Sequence, residues 1–335
     1  MNKYVLKIVD GQKYTAGSKA KVDISDILEN NGFKTVILNI PKTKIGKILF
    51  MRRNVNKIFN SIHNGDIFVI QYPLYSRFGF KTLMKSAKKN KVKTICLIHD
   101  VESLRLYKNN KSRVKTELSI FNKFDVIISH NARMTDWLKN NGIKSKAINL
   151  NLFDYLTEAE MPKIKQDSNI VFAGNLEKSK FLNKWNFEPK LTVFGINPSD
   201  KYSNYIDYKG AKTPDELPKF LSGSYGLVWD GNSLDTNDGI YGEYTRYNNP
   251  HKVSLYLRCG LPVIVWKEAA IAEFVTKNKL GIAISDLRDL ERKLNCISYE
   301  EYNDIKNNVK KISTKLSEGY FTKSAVNRAI ELLDK

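Results

Sequence analysis

One short stretch in the last third of the chain concentrates groups that could do chemistry: Tyr247, Asn248, Asn249, Pro250, His251 and Lys252, just ahead of the apolar run VSLYL. These side chains sit where a helix must begin, and the N–H groups and positive end of a helix receive phosphate readily. A second lysine, Lys178, follows the run NIVFAGNL. Together the two cations could clamp a diphosphate. Such a clamp serves the departure of a nucleoside diphosphate from a sugar, because cations absorb the charge that builds on the leaving group. The same residues also read as a solvated capping loop, and spacing alone does not separate the two.

In open α/β sheets ligands bind at the C-terminal ends of strands, so residues that follow apolar runs are the other candidates. Gln71 and Tyr72 follow DIFVI, His99 and Asp100 follow TICLI with Arg105 just beyond, and Asp230 and Gly231 follow YGLVW. Asp100, beside His99, is the first choice for a base that takes a proton from an acceptor hydroxyl. Capping of the next helix by His99 and Asp100 is the equal alternative. Tyr72 and Arg105 are candidate acceptor contacts, and His130 reads as structural. The chain has no GxGxxG, no GxxxxGK[ST], no GxSxG and no strict D-x-D, and its four histidines make no paired metal spacing.

The elements that must position these groups alternate. Candidate strands span 4–10, 34–40, 66–72, 93–99, 125–130 and 146–151, with helical patterns at 20–31, 46–62, 79–90, 111–121 and 131–140. Each strand run is short, Val/Ile-rich and almost continuously apolar, as expected when both faces of a parallel sheet are covered. Further strands follow at 168–174, 191–195, 225–230, 261–266 and 280–285. Thr213, Pro214 and Glu216 make a capping box that predicts a helix over 213–223. Gly260 closes a helix begun near Lys252. Phe321, Ala325, Val326, Ala329, Ile330 and Leu333 form the apolar stripe of a terminal helix. The expectation is an α/β protein of two Rossmann-like domains facing a cleft: 1–155, 156–318, and a C-terminal helix, 319–335, packing back on the first domain. The polar stretch 151–169 reads as the linker.

Composition is consistent with this. The 335 residues are 42% hydrophobic and 27% charged, which excludes a disordered chain, and Gly and Pro are too few for a collagen-like one. No apolar run is long enough for a membrane span, and Asp10 and Gly11 interrupt the N-terminal run too early for a secretory leader. Cys96, Cys259 and Cys296 lie far apart and read as buried thiols of a reducing cytoplasm. The net charge is +20, nearly all of it in the first half. Such asymmetry suits an anionic partner: an acidic substrate, a membrane face or a nucleic acid.

FAGNLEKSKFL (172–182), YGLVWDG (225–231) and YNNPHKVSLYLRCGLPVIVWKEAAIAEFV (247–275) resemble the glucosyltransferase 3 family of GT-B glycosyltransferases, as do, less specifically, AGSKAKVDISDIL (16–28) and LIHDVESLR (97–105). Members extend O-linked glycans on bacterial serine-rich adhesins, and related enzymes transfer galactofuranose. The resemblance implies a UDP-sugar donor held mainly by the C-terminal domain, with Lys178, Asn249 and Lys252 near the diphosphate. Gly210 and the residues after it would lie near the base, with Asp230 and Gly231 at the site wall. Gly17, Ser18 and Lys19 would close over the donor. The large retaining GT-B family with an E-x7-E motif would have glutamates at Tyr247 and Leu255, so its ribose-holding carboxylate is missing. Glu268 and Glu273 are the nearby substitutes, and retention or inversion stays open.

The leading expectation is thus a metal-independent, cytoplasmic hexosyltransferase with no cofactor beyond its UDP-sugar donor. It would serve a glycan acceptor on a protein or lipid carrier at the inner membrane face, and it would self-associate. An epimerase of the same fold and a basic nucleic-acid-binding protein are the competing readings. No nucleic-acid motif accompanies the basic residues.

Overall fold

In a computed structural model, which describes residues 1–9, 16–39, 44–74, 76–160 and 169–334, the chain forms two compact units: 1–150 with 321–335, and 151–320. The first unit holds a six-stranded parallel sheet. Its strands are β1 (Lys3–Val9), β2 (Lys34–Asn39), β3 (Ile67–Tyr72), β4 (Lys93–Ile98), β5 (Val126–Ser129) and β6 (Lys146–Asn149), in the order β2-β1-β3-β4-β5-β6. All six residues of β3 are buried, whereas the edge strand β2 buries one of six, so the apolar runs mark central strands. The helices are α1 (Ala16–Glu29), α2 (Lys44–Phe59), α3 (Arg77–Lys89), α4 (Glu102–Leu106), α5 (Lys111–Phe121) and α6 (Ala132–Asn140).

Two local differences from the sequence expectation bear on function. α1 begins at Ala16 rather than 20, so Gly17, Ser18 and Lys19 occupy a helical first turn, supported by an i,i+4 pair of Lys19 with Asp23 at 2.7 Å. The five-residue α4 lies where no helical pattern shows. Its N-cap, Val101, offers no side-chain cap. Instead the carboxylate of Glu117 accepts the N–H groups of Glu102 at 3.0 Å and Ser103 at 2.6 Å. That cap comes from fifteen residues on.

The second unit repeats the plan with β7 (Ile170–Asn175), β8 (Leu191–Ile196), β9 (Ile206–Tyr208), β10 (Tyr225–Val228), β11 (Val263–Trp266) and β12 (Gly281–Ile284), all parallel, in the order β12-β11-β10-β7-β8-β9. Its helices are α7 (Gly239–Tyr244), α8 (His251–Arg258), α9 (Ile271–Lys277), α10 (Leu290–Asn295) and α11 (Tyr299–Ser317). Gly260 follows α8 with φ +79°, as its C′ role requires.

The capping box at 213–216 forms, with the Thr213 hydroxyl 2.7 Å from Glu216, but the expected helix does not. Pro218 lacks the N–H that a second turn needs, and a 3-10 turn, Leu217–Phe220, replaces it. The first part of the expected linker, 152–155, is not solvated. Leu152, Phe153, Asp154 and Tyr155 are buried in the second unit, and the Tyr155 hydroxyl donates to the Pro214 carbonyl at 2.7 Å. Residues 161–168 lie outside the described part. Cys96 and Cys259 are buried, whereas Cys296 is exposed, contrary to the expectation for it.

The last helix, α12 (Tyr320–Leu333), falls almost wholly within the first unit and buries Phe321, Ala325, Val326 and Ala329. Lys93 pairs with Asp334 at 2.7 Å, and Arg328 donates to the Asn149 carbonyl at 2.7 Å.

Candidate functional site

The strand order of the second unit reverses between β7 and β10, and such a switch point opens a crevice at the carboxyl ends of the strands. Tyr256 of α8 helps to part the two strands. They pair only at Tyr225–Ile170 and Gly226–Val171, and beyond that point the Tyr256 hydroxyl accepts the Ala173 N–H at 2.7 Å. Burial, foremost, pushes the Tyr256 phenol far above its ordinary range, so it stays neutral in this role.

Into this crevice α8 places Lys252 in its first turn. The ammonium donates to Asp230 Oδ1 at 2.7 Å and to the Trp229 carbonyl at 3.2 Å, and it lies 4.7 Å from the centroid of the Phe172 ring. It runs past Gly174, where a Cβ would stand 3.3 Å from Lys252 Cε. Gly231 follows Asp230 with φ +112°, and its N–H donates to the Lys178 carbonyl at 2.9 Å. A Cβ at 231 would fall 2.3 Å from Asp238 Oδ1. The loop after β10 closes on that carboxylate, which accepts from the Asn232 N–H and, at 2.9 Å, from the Ser233 hydroxyl. Burial pushes the Asp238 carboxyl up, but these hydrogen bonds outweigh it and hold the group below the usual carboxylate range. Lys178 Nζ lies 3.9 Å over the ring of Tyr241.

Lys178, Asp230, Gly231 and Lys252 therefore come together. Gly210 joins their edge: its carbonyl accepts the Gly195 N–H at 3.1 Å, and a Cβ on Gly195 would strike the Gly174 carbonyl oxygen at 2.0 Å. Asn249 lies just ahead of α8. It is buried, and its amide donates to the carbonyl of Asn151, a residue with φ +75°. Asn248 Oδ1 is buried without a hydrogen-bond partner among the described residues, and Tyr247 is half-buried. Of the two substitute carboxylates, Glu268 pairs with Arg246, which also holds Glu243 at 3.1 Å and stacks on Trp266, whereas Glu273 is exposed in α9.

In the first unit the order reverses between β1 and β3. Here a buried chain of hydrogen bonds links strand ends to α1. His99 Nε2 lies 2.8 Å from Gln71 Oε1, and Gln71 Nε2 donates to the Lys21 carbonyl and the Ser25 hydroxyl, each at 3.0 Å. With Gln71 Oε1 as acceptor, His99 Nε2 carries the proton. Asp100 is half-buried and pairs with Arg105 at 3.0 Å. Glu117 takes the first two N–H groups of α4, so His99 and Asp100 are not needed as its cap. Tyr72 donates to Glu117 Oε1 at 2.8 Å and meets Phe121 edge-on, and burial first, then the Glu117 charge, raises its phenol far above the ordinary range. Tyr72 is thus committed inside the unit. His130 is buried.

Sequence reasoning passed over Glu117, Asp238 and Tyr241. Each works through a partner distant in sequence or through loop geometry, and none carries a local signal. Among the described residues no three His, Cys, Asp or Glu side chains group as a metal site.

Residues 2–152 match the profile of the glucosyltransferase 3-like N-terminal domain, and residues 170–329 that of the C-terminal domain. The chain belongs to the glucosyltransferase 3-like family. Its relatives include the β-1,6-galactofuranosyltransferase WbbI of Escherichia coli K12, 29% identical over 98% of both chains. Glucosyltransferase 3 of Streptococcus parasanguinis is 24% identical, again over 98% of both. Among solved structures, an α-glucosyltransferase in complex with UDP superposes with a TM-score of 0.58 at 12% identity, covering 99% of this chain and 100% of the other. An E. coli trehalose-6-phosphate structure bound with UDP-2-fluoro glucose gives 0.63 at 9% identity, covering 100% and 99%. The fold of this glucosyltransferase 3-like chain is accordingly GT-B.

Proposed function

We propose that this glucosyltransferase 3-like protein moves a hexose, glucose or galactose, from a UDP-sugar to a glycan acceptor on a protein or lipid carrier. The observation that carries the reading is Lys252. Its ammonium sits at the start of α8, at a switch point, beside a glycine that leaves it room and a carboxylate that holds it in place. The diphosphate of the donor would take the place beside Lys252, with Lys178 swinging from Tyr241 to its other side. Uridine would lie toward Gly210, and Asp230 and Gly231 would form the wall. As the glycosidic bond breaks, negative charge builds on the leaving phosphate, and two ammonium groups with the N-terminal end of α8 stabilise it there. In this reading no metal is required. Glu273, exposed in α9, is the carboxylate left to meet the ribose, with Tyr247 and Asn248 as further donor contacts. Asn249 supports the site by fixing the start of α8.

In the first unit Asp100, oriented by Arg105, is the proposed base toward the acceptor hydroxyl, and His99 is the positioning residue beneath it. Gly17, Ser18 and Lys19, in the first turn of α1, are the donor contacts that the resemblance assigns to the first unit. The basic first half suits an acidic acceptor or an anionic membrane face, and a cytoplasmic, self-associating enzyme fits the resemblance. None of the described helices is long and apolar enough to cross a membrane.

Calorimetric titration with UDP tests the site. Binding in the presence of EDTA is expected, and no binding, or binding only with manganese, would overturn the reading. Asp100→Asn should abolish transfer while leaving UDP affinity intact; retained turnover would remove Asp100 from its role.

A further inference from the structure

We propose that a cavity in the first unit, walled by α3, α4 and α5, receives a neutral sugar ring of the acceptor, with Ser103, Tyr107 and Arg113 as its recognition groups. This rests on the glycosyltransferase reading for the word acceptor, but the cavity itself is a property of one unit. Its volume is about 520 Å³, within the span of small-molecule sites. Residues lining it include Tyr72, Arg77, Ser103, Tyr107, Arg113 and Glu117.

Part of the wall is rigid. Glu117 is buried and accepts three hydrogen bonds, two from the backbone of α4 and one from Tyr72, so neither side chain is available to a ligand in the first instance. Ser103 differs. It is 2% exposed, and its hydroxyl has no hydrogen-bond partner among the described residues. A buried hydroxyl left unpaired costs about 1–3 kcal/mol, and a ligand hydroxyl would relieve that. Tyr107 supplies a flat surface. The Arg113 guanidinium lies 3.7 Å over its ring centroid, yet 39% of the residue stays exposed. A pyranose offers an apolar C–H face to such a ring and hydroxyl pairs to a planar guanidinium fork.

Charge decides the ligand class. Arg77 and Arg113 are matched by Glu102 and Glu117 in the lining, so an anion gains no net attraction there. A polyhydroxylated neutral ring uses donors and acceptors alike. The diphosphate chemistry belongs to the other unit, at Lys252.

The test uses the full chain without donor. Saturation-transfer NMR is recorded with p-nitrophenyl glycosides of glucose, galactose and N-acetylglucosamine, and UDP affinity is measured in parallel. At least one glycoside should bind the wild type, and Tyr107→Ala and Arg113→Ala should each weaken it by roughly tenfold, as loss of a stacking or charged contact predicts. Ser103→Ala is the discriminating variant. It should weaken glycoside binding by about threefold or more while leaving Tm unchanged or higher, because it removes an unpaired buried hydroxyl. A serine with a purely structural role would not give that pair of results. No binding of any of the three glycosides, or equal binding by wild type and all variants, overturns the proposal. Failure of UDP to bind would instead overturn the donor reading and leave the glycoside result to decide the cavity on its own.

Discussion

Around β7 the second unit is shaped by missing side chains: Gly195 and Gly226 let a neighbouring strand and Tyr256 come closer than any Cβ would permit, and a Cβ at Gly174 would crowd Lys252 Cε at 3.3 Å. At the end of β3 the first unit is shaped by hydrogen bonds instead, from His99 through Gln71 to Ser25 and the Lys21 carbonyl. Both crevices lie where the strand order reverses. One is a tight backbone cradle with a cation laid through it, suited to a ligand of fixed shape and charge. The other is a neutral polar chain under a paired Asp100 and Arg105, suited to orienting a hydroxyl. Topology places a site, and the side chains decide what kind.

The sharpest way to break this contrast is steric. Gly226→Ala puts a methyl 2.3 Å from the Tyr256 ring. It should destabilise the second unit by about 1–3 kcal/mol or more, the range for overpacking, read by urea unfolding. The matching change in the first unit, Ser25→Ala, should cost only about 1 kcal/mol, the worth of a hydrogen bond.

The next tests concern charge. Lys252→Ala should weaken UDP binding by about 1–3 kcal/mol in calorimetry. Lys19→Ala should do less, because Lys19 pairs within α1 of the first unit, whereas Lys252 stands in the crevice proposed to hold the diphosphate. Asp230→Asn should tighten UDP binding by a few-fold, since it removes the carboxylate that competes with phosphate for Lys252 at 2.7 Å.

The smallest expected effect is in acid. Asp238 in the second unit and Asp66 in the first both have folded pKa values held low: burial acts upward on each, and hydrogen bonds from nearby donors outweigh it. A depressed folded pKa gives stability that is present above the unfolded value, near 3.9 for Asp, and lost as pH falls through the folded one. Thermal unfolding followed downward from about pH 5 should show that loss. Asp238→Asn should remove part of it while leaving the Asp66 part.

Much of the fold was legible because each central strand is a short, doubly covered apolar run. The edge strand Ile206–Tyr208 was not, since it is half-exposed and carries Asp207. The long helix Tyr299–Ser317 has a readable signature, the capping box of Ser298 and Glu301, that strand-led reasoning passed over. The box at Thr213 misled, because Pro218 denies the helix its second turn. Lys178, Asp230, Gly231 and Lys252 stand beside strand ends in the sequence, and the second unit gathers them at one switch point. For Asn249, which the resemblance places near the diphosphate, local spacing gives no hint of its bond to the Asn151 carbonyl, 98 residues away. The cavity around Ser103 and Tyr107 could not be seen at all. It exists only once α4 is held by Glu117.

Tyr256 fills the space that Gly226 leaves and takes up the Ala173 N–H. Positions 226 and 256 are therefore sterically coupled. A side chain at the first would demand a smaller one at the second, and the Ala173 amide would then need another acceptor.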